Sequence, residues 1–122
     1  MIGYVTLGTN DFARAAKFYD SLFAEMGAKR TMQFETFILW STGKGPGVAL
    51  AKPHDGKAAT AGNGVMVALT AKSMEQVDAI YRKALSLGGT DEGKPGPRGD
   101  NFYAGYFRDL DGNKLNAFFM GQ

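Results

Sequence analysis

The sequence predicts an α+β fold built from two tandem βαβββ units, which form a curved, half-barrel-like mixed sheet with the helices on its convex face. Three observations predict it: an internal repeat, two helices with the same apolar spacing, and strand-like runs after each helix. We expect one domain over residues 1–122, with unit one at about 1–56 and unit two at about 62–122.

The first unit opens with a strand, "YVTLG" at residues 4–8, and Asn10 or Asp11 then caps a helix. The apolar positions of this helix recur at helical spacing: Phe12, Ala15, Phe18, Tyr19 and Leu22. Adding sixty-two to the residue numbers recovers the pattern in the second unit: Val67 and Leu69, then Met74, Val77, Ile80, Tyr81 and Ala84. Two copies of one unit are therefore present.

Helix boundaries repeat as well. Ser73 and Gln76 have the spacing of a capping box at the start of the second helix. Gly27 and Gly89 stand where each helix end favours a left-handed residue.

Three shorter runs follow each helix. In the first unit they are "KRTMQF", "TFILWS" and "GVALAK", and in the second a weak strand near Thr90, "NFYAGYF" and "KLNAFFM". Residues 52–64 join the units. The glycine-rich segment 93–101 is expected to be a loop, which either closes over a pocket mouth or serves as an inert connector.

Composition narrows the possible partners. The chain has 14 Lys and Arg against 12 Asp and Glu, scattered along the sequence, which disfavours a nucleic-acid partner. No apolar run approaches the roughly 18 residues of a membrane span, so no membrane partner is expected. The absence of cysteine excludes disulfides and thiolate chemistry, and the opening residues lack a basic and apolar leader, so we expect a cytoplasmic protein.

Strand alternation assigns faces to the first strand of each unit. Val5 and Leu7 should face the helices, which leaves Tyr4 and Thr6 on the concave face. The same reasoning puts Met66 and Ala68 there in the second unit. Other strand aromatics, Phe37, Trp40, Tyr103 and Tyr106, have no secure face from sequence alone.

The segments "MIGYVTLGTNDFARAAKFYDSLFAEMGA" and "FYAGYFRDLDGNKLNAFF" resemble the opening and closing parts of the vicinal oxygen chelate superfamily, which includes glyoxalases, dioxygenases and bleomycin-resistance proteins. The resemblance covers essentially the whole chain. It implies metal-ligand positions at Tyr4, Ala49, Met66 and Asn116, where metal-dependent relatives carry histidine, glutamine or glutamate. None of these four residues is a good metal ligand, and Asn116 stands where relatives carry a glutamate.

The residue inventory independently disfavours a metal. A catalytic divalent ion usually takes three or four imidazole or carboxylate ligands, and His54 is the one histidine. His54 lies in the linker "KPHDGK", where we expect a solvated loop residue. We therefore predict no metal and no cofactor.

The predicted function is metal-independent binding of a planar or apolar organic ligand in the concave cleft. Ligand-binding residues are expected among Tyr4, Thr6, Trp40, Met66, Tyr103, Tyr106 and Asn116, and no catalytic residue is identified. The alternative is a glyoxalase-like enzyme on the same frame, a lyase, isomerase or dioxygenase with an unidentified substrate. A third possibility is an interaction module with no ligand. The resemblance also implies a homodimer with a small-molecule ligand as partner.

Overall fold

The computed structural model describes residues 1–121 and confirms the predicted architecture. Its elements are β1 (Tyr4–Gly8), α1 (Phe12–Ala24), β2 (Lys29–Phe34), β3 (Phe37–Ser41), β4 (Gly47–Ala51), β5 (Val67–Thr70), α2 (Met74–Ser86), β6 (Thr90–Pro97), β7 (Phe102–Arg108) and β8 (Lys114–Met120). Within residues 1–121, neither helix is long and apolar enough to cross a bilayer.

Each unit forms one four-stranded sheet, with strand order β1-β4-β3-β2 in the first and β5-β8-β7-β6 in the second. The first strand of each unit is parallel to the last, and the other pairs are antiparallel. Thr6 pairs with Ala49 in the first sheet, and Ala68 pairs with Asn116 in the second. Asn116 is therefore the counterpart of Ala49 in the repeat.

Both helix starts follow the predicted capping, with one difference. Asp11 caps α1 by accepting a hydrogen bond from the backbone N–H of Arg14, at 3.2 Å. Ser73 caps α2 by accepting from the N–H of Gln76, at 3.1 Å. The Gln76 side chain, however, accepts from the N–H of Lys72 instead of Ser73, so the capping box closes one residue earlier than expected.

One predicted helix end is wrong by one residue. Gly27 has a left-handed φ of 73°, as expected, but after α2 the left-handed residue is Gly88, with φ 101°. Gly89 is needed for a different reason. A Cβ at Gly89 would lie 2.7 Å from the carbonyl oxygen of Arg108 and 2.8 Å from that of Ala84, so the chain passes too close for any side chain.

The core fills the space between the helices and the convex faces of the sheets. Trp40 is 2% exposed and packs its ring on Tyr19 and Phe23, at centroid distances of 5.8 and 5.7 Å. Its Nε1 donates to Asp20 Oδ1 at 2.9 Å, and Arg30 donates to both oxygens of the same carboxylate. The Arg30 hydrogen bonds lower the pKa of Asp20, which keeps this acceptor ionised.

The strand β6 is longer than predicted. The sequence indicated a weak strand near Thr90 followed by a loop from Gly93, but β6 runs to Pro97. Prolines are tolerated because β6 is an edge strand and its pairing with β7 shifts register on both sides of Gly93. Most of the glycine-rich segment is thus part of the sheet, and only its last residues form a turn.

A buried polar network joins the two units. Asp109 accepts hydrogen bonds from the Tyr19 hydroxyl, from the N–H groups of Asp111 and Asn113, and from Asn113 Nδ2. Asn113 Nδ2 also donates to the carbonyl oxygen of Gly8, at 2.9 Å. Burial, followed by the nearby Asp109 carboxylate, raises the pKa of Tyr19 well above its usual value, so its hydroxyl stays a donor. The network fixes the end of β1 against the β7–β8 turn.

Candidate functional site

The face of each sheet opposite the helices forms the concave surface. Strand register places on it the residues that alternate with the buried core, chiefly Tyr4, Thr6, Ala49, Phe37 and Leu39 in the first sheet and Ala68, Asn116, Phe118, Tyr106 and Phe102 in the second. The concave positions of β1, β4, β5 and β8 carry no carboxylate. This surface therefore presents apolar, aromatic and neutral polar groups.

Tyr4 and Thr6 lie on the concave face, as alternation predicted. Tyr4 is 53% exposed, and its ring meets Phe37 edge-on at a centroid distance of 5.9 Å. The strand β4 lies between them, and its Ala49 is fully buried. The two rings thus form an aromatic surface with the exposed Thr6 hydroxyl beside it.

Met66 precedes β5 and is 41% exposed. It borders a cleft of about 500 Å³ where the second unit meets the first. The wall of this cleft is mainly apolar and includes Val5, Phe23, Trp40 and Val67. The volume lies within the range of sites for small organic molecules, roughly 300 to 1,000 Å³.

Two residues expected at the concave site lie on the other face. Trp40 belongs to the core under α1 and reaches only the wall of the cleft beside Met66. Tyr103 packs against the core and donates its hydroxyl to Asp78 of α2, at 2.7 Å. Both side chains pack against helices. The candidates on the concave face are therefore Tyr4, Thr6, Tyr106 and Asn116, and Met66 lies at the cleft between the units.

Asn116 is the one buried polar residue in this set. Only 1% of it is exposed, and its Oδ1 accepts no hydrogen bond from residues 1–121. A buried amide oxygen without a donor costs about 1 to 3 kcal/mol. Its register neighbours, Ala68 and Tyr106, offer no donor to it. Asn116 therefore holds a buried acceptor that has no protein donor within residues 1–121.

Sequence analysis missed the residues around Tyr106. Arg98 Cζ lies 5.4 Å and Lys114 Nζ 5.6 Å from the centroid of the Tyr106 ring, both within cation–π range. Farther along the same face, Phe102 and Phe118 stack at 5.4 Å. The contacts depend on the pairing of β6 with β7 and of β7 with β8. The register shifts between β6 and β7 leave no signal in the linear sequence.

A second cavity, of about 750 Å³, lies at the linker. It is lined by Phe37 and by three exposed basic side chains, Lys52, His54 and Lys57. The side-chain amide of Asn10 anchors the linker: its Nδ2 donates to the carbonyl oxygen of Ala59 at 3.0 Å, and its Oδ1 accepts from the N–H of Ala59 at 2.7 Å. His54 is exposed, as expected for a loop residue.

A sequence model of the Glyoxalase/Bleomycin resistance protein/Dioxygenase superfamily matches residues 1–117. The chain belongs to this superfamily. No curated protein matches the chain significantly.

Solved structures show the same fold. A glyoxalase/bleomycin resistance protein from Albidiferax ferrireducens is 34% identical, with 97% of both chains covered and a TM-score of 0.88. A hypothetical protein from S. aureus is 25% identical, covering 95% of this chain and 91% of that one, with a TM-score of 0.76. Lactoylglutathione lyase from Agrobacterium tumefaciens shares the fold at 19% identity, 97% and 92% coverage and a TM-score of 0.73.

The positions implied for metal ligands do not fit a catalytic ion. The Ala49 side chain has no ligand atom, Met66 is a thioether, and Tyr4 and Asn116 offer a phenol and an amide. Within residues 1–121, no group of three or more histidine, cysteine or acidic residues comes together. No chemical step is therefore assigned to a metal at this site.

We expect the purified protein to hold no stoichiometric divalent metal, because these four side chains cannot replace imidazole and carboxylate donors. Elemental analysis after dialysis against a weak chelator measures this. Nickel, zinc, iron or manganese near one per chain would overturn the expectation.

Proposed function

We propose that this chain is a metal-independent small-molecule-binding protein of the glyoxalase/bleomycin-resistance type, which takes a planar or apolar organic ligand on its concave face. The observation that carries the proposal is Asn116, an amide that is 1% exposed and whose oxygen lacks a donor within residues 1–121, next to Tyr106 on the concave face. In a purely structural strand this position would carry an apolar residue, as Ala49 does in the first sheet. Absence of cysteine is consistent with a cytoplasmic setting, which we include in the proposal.

The direct test is an NMR titration of the labelled protein with a panel of planar aromatic compounds. We expect saturable shifts at the backbone amides of Thr6, Ala68 and Asn116, with little change on the convex helices. Native mass spectrometry of freshly purified protein would show whether a ligand is retained from the expression host. Shifts confined to the helices or to the linker cavity, or no saturable shifts, would refute binding on the concave face.

The enzymatic alternative lacks a comparable observation. A glyoxalase-like proton transfer needs a general base close to the substrate. On the second sheet, the carboxylate of Glu92 is already paired with Arg108 at 3.2 Å. Binding is therefore the function this geometry supports best.

We also propose that the chain forms a homodimer in solution. Several large apolar side chains are exposed in the single chain: Tyr4, Met32, Phe34, Met66 and Met120. Exposed apolar surface of this kind usually marks a binding or subunit interface. We expect light scattering to give twice the chain mass of 13.1 kDa. A monomer across the whole concentration range would contradict this and confine the ligand site to one chain.

A further inference from the structure

The surroundings of Tyr106 indicate the charge of the ligand. On the concave face of the second sheet, Arg98 and Lys114 both contact the ring of Tyr106, and neither is paired with a carboxylate of residues 1–121. On this sheet within residues 1–121, Glu92 forms its ion pair with Arg108, at 3.2 Å, and not with Arg98 or Lys114. Two positive charges thus converge on one aromatic ring without a protein anion.

The guanidinium of Arg98 is held in place by the backbone. Its Nη2 donates to the carbonyl oxygen of Lys94 at 2.7 Å, and its Nη1 donates to that of Pro97 at 3.3 Å. A Cβ at Gly96 would lie 3.2 Å from Nη1, and one at Gly93 would lie 3.4 Å from Nη2. The two glycines therefore leave the space that the guanidinium occupies.

Gly93 also makes room for the aromatic ring. A Cβ there would lie 3.2 Å from Tyr106 Cδ1, and the backbone φ of 154° is one that other residues rarely adopt. The remaining N–H groups of Arg98 stay free to bind a ligand, since a guanidinium has five donors. A fixed guanidinium is suited to a carboxylate, whose two oxygens match its planar fork.

Asn116 adds a hydrogen-bond acceptor next to the two cationic side chains. It is the register partner of Tyr106 on β8, so the side chains lie side by side on the concave face. Its buried Oδ1 needs a hydrogen-bond donor, whereas Arg98 and Lys114 need an acceptor. One small molecule with a donor and an anionic group satisfies both.

We propose that the concave face of the second sheet binds a planar organic carboxylate carrying a hydroxyl or amino donor. Arg98 and Lys114 hold the carboxylate beside Tyr106, and Asn116 accepts from the donor. This proposal rests on the proposed function, because it specifies the ligand class of the same concave face.

The test compares 4-hydroxybenzoate with its neutral analogue 4-hydroxybenzamide, which keeps the ring and the hydroxyl. NMR titration should show the benzoate binding about tenfold or more tightly, as expected when a charge-assisted hydrogen bond is lost in the amide. In Arg98→Gln/Lys114→Met the two probes should bind equally. The matched control is Lys17→Met, which removes a charge from the exposed face of α1 and should keep the preference.

If the double variant folds poorly, Lys114→Met alone can be tested. The Lys114 side chain makes no hydrogen bond or ion pair within residues 1–121, so this single variant should fold. We expect it to lose part of the preference, because Arg98 remains. Equal binding of both probes to the unmodified protein, with shifts at the concave amides, would overturn the carboxylate proposal and leave the proposed function standing. Absence of concave-face shifts with both probes and with the neutral aromatic panel would instead overturn both proposals.

Discussion

Replacing Asp109 with Ala should lower the free energy of unfolding by about 3 kcal/mol or more, because several donors lose their acceptor at once. The Tyr19 hydroxyl is buried and has no other acceptor among residues 1–121. Asn113 would lose the two hydrogen bonds that it donates to Asp109. These bonds orient its side chain, whose Nδ2 also donates to the carbonyl oxygen of Gly8. Chemical denaturation followed by circular dichroism at a fixed protein concentration measures the change.

A series of matched variants shows whether the loss of stability comes from the Asp109 network or from mutation in general. Tyr19→Phe removes a single donor and leaves Asp109 with three, so we expect a loss of about 1 kcal/mol. The double variant should lose less than the sum of the two single losses, since both remove the same bond. Asp100→Ala, in the exposed turn after β6, should change stability by less than about 0.5 kcal/mol. A loss below about 1 kcal/mol for Asp109→Ala would show that the network does not hold the units together.

The Asp109 network also bears on the candidate site. Tyr19 lies in α1 of the first unit, Asp109 and Asn113 lie in the second, and Gly8 ends β1. The turn thus sets how the end of β1 meets the second sheet. Because the concave face uses strands of both sheets, loosening this turn should weaken ligand binding together with stability.

The fold was predictable because its signals are local and repeated. Apolar residues at helical spacing mark α1 and α2, and the first strand of each unit alternates cleanly around Val5–Leu7 and Val67–Leu69. The strand β6 was not predictable in full, since Gly93, Pro95 and Pro97 normally mark loops. Pairing with β7 at the sheet edge, a tertiary effect, overrides that local preference.

The candidate site was predictable only in part, for a different physical reason. The strand β3, "FILWS", carries large apolar residues on both faces. Alternation therefore does not show which of its faces points to the core, and the face of Trp40 could not be assigned from sequence. The strand β7 has the same ambiguity, with Tyr103 facing α2 and Tyr106 facing the concave surface. Asn116 was found because a lone polar residue in an apolar strand needs no phase to be noticed.

Asn116→Leu should not lower the free energy of unfolding by more than about 1 kcal/mol, and it should weaken binding of 4-hydroxybenzoate about tenfold or more. The stability is expected to hold because Oδ1 has no protein donor in residues 1–121, so its removal orphans none, and Leu keeps the branching at Cγ. Binding is expected to fall because the apolar side chain cannot accept from the hydroxyl of the probe. Denaturation and NMR titration of the same variant measure both quantities.

The control is the adjacent residue on the same strand. Leu115 is fully buried and faces the helices, so Leu115→Ala should cost about 2 to 5 kcal/mol through lost packing. Because its side chain lies on the opposite face of β8, the folded fraction of Leu115→Ala should retain its affinity for the probe. Asn116→Leu should therefore weaken binding with little loss of stability, whereas Leu115→Ala should lower stability and leave binding unchanged. If Asn116→Leu proved as destabilising as Leu115→Ala and bound the probe normally, Asn116 would be a core residue, and binding at this strand would have to be abandoned.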